Sequence, residues 1–327
     1  MRDIVIFSGS SNPNLVSRIC NNLSLPQGKV LLKKFANGET SVQLETSVRE
    51  KDVFILQTGA GKVNDYLIEL LLMISACKMA SAKRITVILP LFFYSRQPDV
   101  PGVSKKRVQT TGELGTEETT FNGTYRPWVA QNGMLIASMI ETAGANHIVT
   151  MDLHDAQFQG FFNIPVDNLF SKPLVQHYIT NYLPRDCVIV SPDAGGAKRA
   201  AAVADSLYLN FALVDRGERN MLVGDVEGKN CVIVDDLADT ANTLIRAASM
   251  LKEQGAADIY AIVTHGVFSD NALKKSNGLF KKIITSNSVD QQNNTLLEVL
   301  DVSRMFSEAI RRINNGESVS MIYNQMV

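Results

Sequence analysis

The sequence predicts an α/β protein built from two doubly wound parallel-sheet domains of similar topology. Three observations lead there. Short apolar runs alternate with amphipathic helical stretches, the rhythm of strands joined by right-handed helical crossovers. A faint repeat aligns Gly144-Ala-Asn-His-Ile-Val-Thr-Met-Asp-Leu-His154 with Gly255-Ala-Ala-Asp-Ile-Tyr-Ala-Ile-Val-Thr-His265. Each copy is a glycine-marked helix end followed by a strand closing on histidine. Finally, 327 residues suit two domains better than one. The division is expected near residue 150, giving domains 1–150 and 151–327.

In chain order, residues 4–8 read as a first strand and an amphipathic stretch to Leu23 as a first helix. A strand at 53–57, a helix at 66–80 and a strand at 85–89 follow. The second half repeats the pattern: strands at 147–151, 188–191 and 231–234, a helix ending near Gln254, then a strand at 259–263. Residues 302–314 form a helix stopped by Gly316, and 319–323 a last strand. From Gln97 to Arg126 periodicity vanishes, with Pro98, Pro101, Gly102, Gly112, Gly115 and Gly123 mixed with Lys105-Lys-Arg107. The region of about 98–125 is expected to be a long mobile insertion.

Composition narrows the function. A net charge of −1, with 45% hydrophobic and 20% charged residues, offers no footprint for nucleic acid or an anionic membrane. The most apolar stretch, 66–76, carries Glu69 and is too short to span a bilayer. The start reads as a strand rather than a signal peptide. The four cysteines are scattered without a CxxC pair. Cys187 and Cys231 open apolar runs, so small buried residues in a reduced, cytoplasmic protein are expected.

The most informative stretch is Val232-Ile-Val-Asp-Asp-Leu-Ala-Asp-Thr-Ala-Asn-Thr-Leu244. A buried strand ends in Asp235 and Asp236, then delivers Asp239, Thr240, Asn242 and Thr243 to a helix start. Free N–H groups and the helix dipole favour a phosphate there, and the carboxylate pair suits sugar hydroxyls or a metal. The plainer reading, a helix N-capped by Asp239, leaves the preceding pair without a purpose. Ser191-Pro-Asp-Ala-Gly-Gly-Ala-Lys-Arg199 is a second strand-to-helix turn. Its paired glycines let backbone approach an anion, with Asp193 as a Mg²⁺ or ribose ligand. It lacks the ending of a Walker loop. In Met151-Asp-Leu-His154, strand alternation puts Asp152 and His154 on one face as a divalent-metal pair, unless the histidine is simply hydrogen-bonded.

These motifs resemble the ribose-phosphate pyrophosphokinase (PRPP synthetase) family over nearly the whole chain. The 232–244 segment matches the ribose-5-phosphate loop that this family shares with phosphoribosyltransferases. The run Gln157-Phe-Gln-Gly-Phe-Phe-Asn-Ile-Pro-Val-Asp-Asn-Leu169 is close to the family's sequence after its Met-Asp-Leu-His motif, with Asn163 where Asp is common. The resemblance implies a type I phosphoribosyltransferase-like fold whose C-terminal end packs back on the first domain. It implies synthesis of PRPP and AMP from ribose 5-phosphate and ATP for nucleotide biosynthesis.

On the same basis, Phe35, Asn37 and Glu39 would reach the ATP of a neighbouring subunit, with Arg96, Gln97 and His154 also on the nucleotide. Asp193, Asp235, Asp236, Asp239, Thr240, Asn242 and Thr243 would hold ribose 5-phosphate. Mg²⁺ would sit among Asp152, His154, Asp167 and Asp193. Ser47, Arg49, Ser318 and Ser320 would build an allosteric site for inorganic phosphate as activator. The assembly would be a homo- or hetero-oligomer of such subunits, hexameric or larger.

Three departures touch the catalytic parts. The lysine-rich lid is absent in its usual form, and Arg126 is the nearest basic counterpart. The His-Lys-Glu-Arg element appears as Val214-Asp-Arg-Gly-Glu-Arg219, with Arg216 in place of lysine and Arg219 the candidate for the second cation. Asn242 replaces the glycine usual in the ribose-phosphate loop. With His154, Arg126 and Arg216 as the catalytic candidates, two readings stand. One is a working synthetase subunit; the other is a catalytically weak paralogue that regulates or scaffolds an active one. A phosphoribosyltransferase, which needs neither Phe35–Glu39 nor Arg96–Gln97, comes third.

Overall fold

A computed structural model describes residues 3–95, 132–215 and 221–323. The insertion, with Arg96, Gln97 and Arg126, and the segment carrying Arg216 and Arg219 lie outside the described residues.

The first sheet is assembled from β1 (Ile4–Ser8), β4 (Asp52–Leu56), β5 (Arg84–Leu89), β6 (His147–Met151) and β7 (Val166–Leu169), in that spatial order and all parallel. Between β1 and β4 run α1 (Pro13–Leu23) and the antiparallel hairpin β2 (Val30–Lys34) and β3 (Thr40–Leu44). Helices α2 (Val63–Met79) and α3 (Asn132–Ala143) cover one face, packing Leu70, Met73, Ile136 and Ile140 on Val53, Ile55, Val87 and Ile148. Strands buried on both faces read as continuous apolar runs, which is why residues 53–56 carry no polar alternation.

The second sheet follows α4 (Lys172–Tyr182). It contains β8 (Val188–Ser191), α5 (Ala197–Leu207), β9 (Asn210–Asp215), β10 (Met221–Val223), β11 (Cys231–Ala238), α6 (Asn242–Glu253), β12 (Ile259–Gly266), α7 (Ala272–Lys275), β13 (Lys282–Ser286) and β14 (Leu297–Leu300). Its spatial order is β10-β9-β8-β11-β12-β13-β14, parallel except for the edge pair β9–β10. Chain order therefore reverses between β8 and β11. The crevice at the carboxyl ends of two such strands is where open α/β sheets bind ligands. The first sheet is covered on both faces too, but its strands keep chain order with no reversal.

Two sequence expectations change. The first sheet continues to Leu169, because β6 and β7 pair in register from Ile148↔Val166 to Met151↔Leu169, so a division at 150 cuts through it. Residues 319–323 form a single 3-10 turn instead of a strand. They still pack back on the first sheet. Helix α8 (Ser303–Asn315) and this turn bury Phe306, Ile310, Val319 and Ile322 against Ile6, Phe54, Val149 and α1. No helix among the described residues is long and apolar enough to cross a membrane. All four cysteines are buried and unbridged.

Candidate functional site

At the reversal point, a cavity of about 380 Å³ is lined by the loops after β8 and β11, the start of α6, and His154 from beyond β6. Asp193 is fixed by its own loop: its Oδ1 accepts from Gly196 N at 3.1 Å and its carbonyl from Ser191 Oγ at 2.7 Å. A Cβ on Gly196 would lie 3.1 Å from Ser191 Oγ and 3.8 Å from Asp235 Oδ1, so the glycine keeps this corner open.

Asp235 and Asp236 end the apolar part of β11. Arg199, in the first turn of α5, donates to Asp236 Oδ1 at 2.8 Å and lies 3.7 Å from Asp235. The imidazole Nδ1 of His154 donates to Asp236 Oδ2 at 2.7 Å, so this hydrogen bond joins the two sheets. Burial and the adjacent Asp236 carboxylate push Asp235 above the usual carboxylate range. Burial would raise Asp236 as well, but the His154 hydrogen bond and the Arg199 charge outweigh it and hold Asp236 well below that range. The Asp236 hydrogen bond in turn raises His154 against partial desolvation. The site thus keeps one carboxylate firmly ionised beside one that readily takes a proton.

Helix α6 begins after Ala241, which sits in the left-handed region at φ 55° and, being alanine, offers no side-chain cap of its own. Asp239 is therefore not the N-cap; its carboxylate accepts from Ser269 Oγ. The first-turn backbone faces the cavity along with Thr240, Asn242 and Thr243. The unusual dihedral falls on Ala241, so the tolerance of asparagine for such angles is not what this loop uses at Asn242. Next to this cavity, and sharing Leu237 and Asp239 with it, a cleft of about 840 Å³ runs between the sheets. It is lined by Ser11, Thr58, Gly59, Tyr66 and Ser95 from the first sheet and by Ser269 and Asp290 from the second.

Among the predicted metal residues, only His154 and Asp193 share the cavity. Asp152 is buried, and its carboxylate accepts from Ser171 N at 3.2 Å and Thr264 Oγ1 at 2.7 Å. Asp167 pairs with His147 Nε2 at 2.9 Å. It sits opposite Val149 in the sheet, three positions, or about 10 Å along the strand, short of Asp152. The described residues contain no cluster of three or more His, Cys, Asp or Glu able to hold a metal alone.

Phe35, Asn37 and Glu39 occupy the exposed tip of the β2–β3 hairpin, away from the cavity, with Asn37 Oδ1 accepting from Glu39 N. Ser47 and Arg49 are exposed before β4. Ser318 and Ser320 hydrogen-bond each other after α8, at 2.7 Å. Sequence reasoning missed Arg199 as a site residue. Its signal was a cation in a first helical turn, where the dipole disfavours it unless carboxylates face it.

Comparison with known proteins agrees with this architecture. Residues 4–110 match the N-terminal domain of ribose phosphate pyrophosphokinase and residues 218–324 the phosphoribosyl synthetase-associated domain. Ribose-phosphate pyrophosphokinase 5 of Schizosaccharomyces pombe is 49% identical over 339 residues, covering 99% of this chain and 98% of its own. Ribose-phosphate pyrophosphokinase 2 of the same yeast is 45% identical, covering 98% and 97%. The crystal structure of phosphoribosylpyrophosphate synthetase from Mycobacterium smegmatis superposes with a TM-score of 0.85 at 34% identity, covering 96% of this chain and all of that one.

Proposed function

Because the chain belongs to the ribose-phosphate pyrophosphokinase family, we propose that it transfers the pyrophosphoryl group of Mg-ATP to the C1 hydroxyl of ribose 5-phosphate. The observation that carries this reading is the cavity at the reversal point. There a helix start, two adjacent carboxylates and a glycine loop meet a histidine brought from the other sheet. The helix start takes the 5-phosphate with Thr240 and Thr243. Asp235 and Asp236 take ribose hydroxyls, and Asp239 lies at the junction with the interdomain cleft, which receives the nucleotide.

The C1 oxygen attacks the β-phosphorus in line. A bond forms between them, the bond from the β-phosphorus to the bridging oxygen breaks, AMP leaves with that oxygen, and the hydroxyl proton passes to solvent. Such transfers depend on positioning and charge neutralisation more than on a strong base. Mg²⁺ characteristically takes one or two protein groups together with substrate phosphates, which fits His154 and Asp193 with no protein cage around them. Bound there, it would neutralise phosphate charge. Arg216 and Arg126 are proposed to supply further positive charge, with Arg96 and Gln97 on the nucleotide. The exposed Phe35, Asn37 and Glu39 suit contact with the nucleotide of a neighbouring subunit in a hexamer or larger assembly. Inorganic phosphate as activator, bound by Ser47, Arg49, Ser318 and Ser320, belongs to the same proposal, as does a cytoplasmic location.

The altered lid and the Arg216 substitution favour a second reading, a weakly active regulatory subunit of a hetero-oligomer. One assay separates the two: AMP formation by the purified chain from ATP, ribose 5-phosphate, Mg²⁺ and phosphate. Ribose-phosphate-dependent turnover that is lost in Arg216→Ala supports the enzyme. Folded, nucleotide-binding protein without turnover supports the regulatory role.

A further inference from the structure

We propose that Asp152 and His265 are positioning residues, a buried clamp between the sheets that holds the 152–154 turn so that His154 reaches Asp236. Neither residue faces the cavity, and this inference rests on the reaction proposed above.

His154 belongs to the first sheet, whereas Asp193, Arg199, Asp235 and Asp236 belong to the second. A catalytic set divided in this way is only as well placed as the sheets are fixed to each other. A strip of buried polar groups does the fixing. Asp152, at φ 40°, turns the chain out of β6 in a conformation that L residues seldom adopt. Its carboxylate accepts from Ser171 N and from Thr264 Oγ1 of β12, and Ser171 Oγ bonds Thr264 Oγ1 at 2.9 Å.

The neighbouring residue His265 is buried and spans the gap: Nε2 lies 3.0 Å from Met151 O and Nδ1 2.8 Å from Ser288 Oγ. A carbonyl only accepts, so Nε2 carries the proton, and in the neutral ring Nδ1 accepts from the serine. Burial lowers the basicity of His265, in keeping with that neutral form. From the first sheet, Asn12 Nδ2 donates to Asn287 O and Thr58 Oγ1 to Ser288 O, which extends the strip. The internal repeat explains the pair. His154 and His265 hold matching places in the repeat, but one emerges beyond β6 at the cavity, and the other, still within β12, bonds the strand end that carries the first.

The test reads His154 directly, without relying on turnover. Diethyl pyrocarbonate labelling of the full-length protein, followed by mass spectrometry, gives the reactivity of His154 relative to exposed His177. His265→Leu is expected to raise that ratio several-fold. It should lower kcat by roughly 10- to 100-fold, in line with ångström-scale misplacement, while KM for ribose 5-phosphate stays within about twofold. His265→Gln retains a donor toward Met151 O and should restore both. Tyr178→Phe, which removes a hydrogen bond to Glu298 outside the strip, should change neither. Should His265→Leu not fold, Asp152→Asn, of equal volume, must raise the same ratio. Unchanged His154 reactivity in a folded variant overturns the clamp even if the chain proves inactive. Absent turnover with altered reactivity refutes only the proposed reaction.

Discussion

Replacing Asp236 by asparagine removes a charge and one acceptor while leaving volume unchanged. The wild-type carboxylate serves two donors, Arg199 at 2.8 Å on one oxygen and His154 at 2.7 Å on the other. Asparagine has a single acceptor oxygen, so its amide must point an N–H at one of them. Charge-assisted hydrogen bonds of this kind contribute about 1.5–3 kcal/mol, and breaking a buried pair costs about 3–5 kcal/mol. The partner side chains are 32% and 48% exposed, so water screens much of that and the loss should be roughly 2 kcal/mol.

Against a typical total of about 5–15 kcal/mol the protein stays folded, and kcat is expected to fall about 100-fold through misplacement of His154. The pH dependence has a definite sign. The raised His154 pKa means that its part of the stabilisation is full below the ordinary histidine value of 6.5 and is lost as pH rises through the raised value. The lowered Asp236 pKa means that its part is present above the ordinary 3.8 and is lost as pH falls through the depressed value. The penalty of Asp236→Asn should therefore be largest in mildly acidic solution and shrink in alkali. Denaturant unfolding of both proteins at the two pH values, with AMP formation alongside, measures this. A penalty that grows in alkali, or an unchanged kcat, would refute the reasoning.

Gly196→Ala should fold, since its backbone lies at φ −82°, but its methyl would crowd Ser191 and point toward Asp235 and Asp193. KM for ribose 5-phosphate is expected to rise roughly tenfold, about 1.4 kcal/mol, with thermal stability nearly unchanged; an unaltered KM would place the ligand elsewhere. Burial pushes the thiols of Cys20, Cys187 and Cys231 up to about 11 and that of Cys77 to about 12. A thiol reagent should leave the native protein unmodified and titrate all four cysteines once it is denatured.

Much of the site was legible because its chemistry is local. Asp193 with its glycines, and Asp235 to Thr243, are contiguous segments placed at strand ends by their own apolar runs. What the sequence left open is which partners Asp152 and Asp167 meet. Strand alternation fixes which face a side chain leaves from, but not what meets it there. Thr264 and Ser171 claimed the first carboxylate and His147 the second. Residues 319–323 have a strand-like composition, yet they pair with no strand, and packing against α8 and the first sheet holds them as a turn.

The sequence by itself determined the alternation of strands and helices, the positions of the glycine-rich and carboxylate-bearing loops, and the family. All of these are encoded in periodicity and short motifs, whose physics acts within a few residues. Only the tertiary structure decided that chain order reverses between β8 and β11, that Arg199 neutralises the paired carboxylates, and that His154 reaches Asp236 across 82 positions of sequence. Those contacts join segments that no local propensity relates. They exist because burying both faces of two sheets brings the strand ends together, where buried charges must find partners.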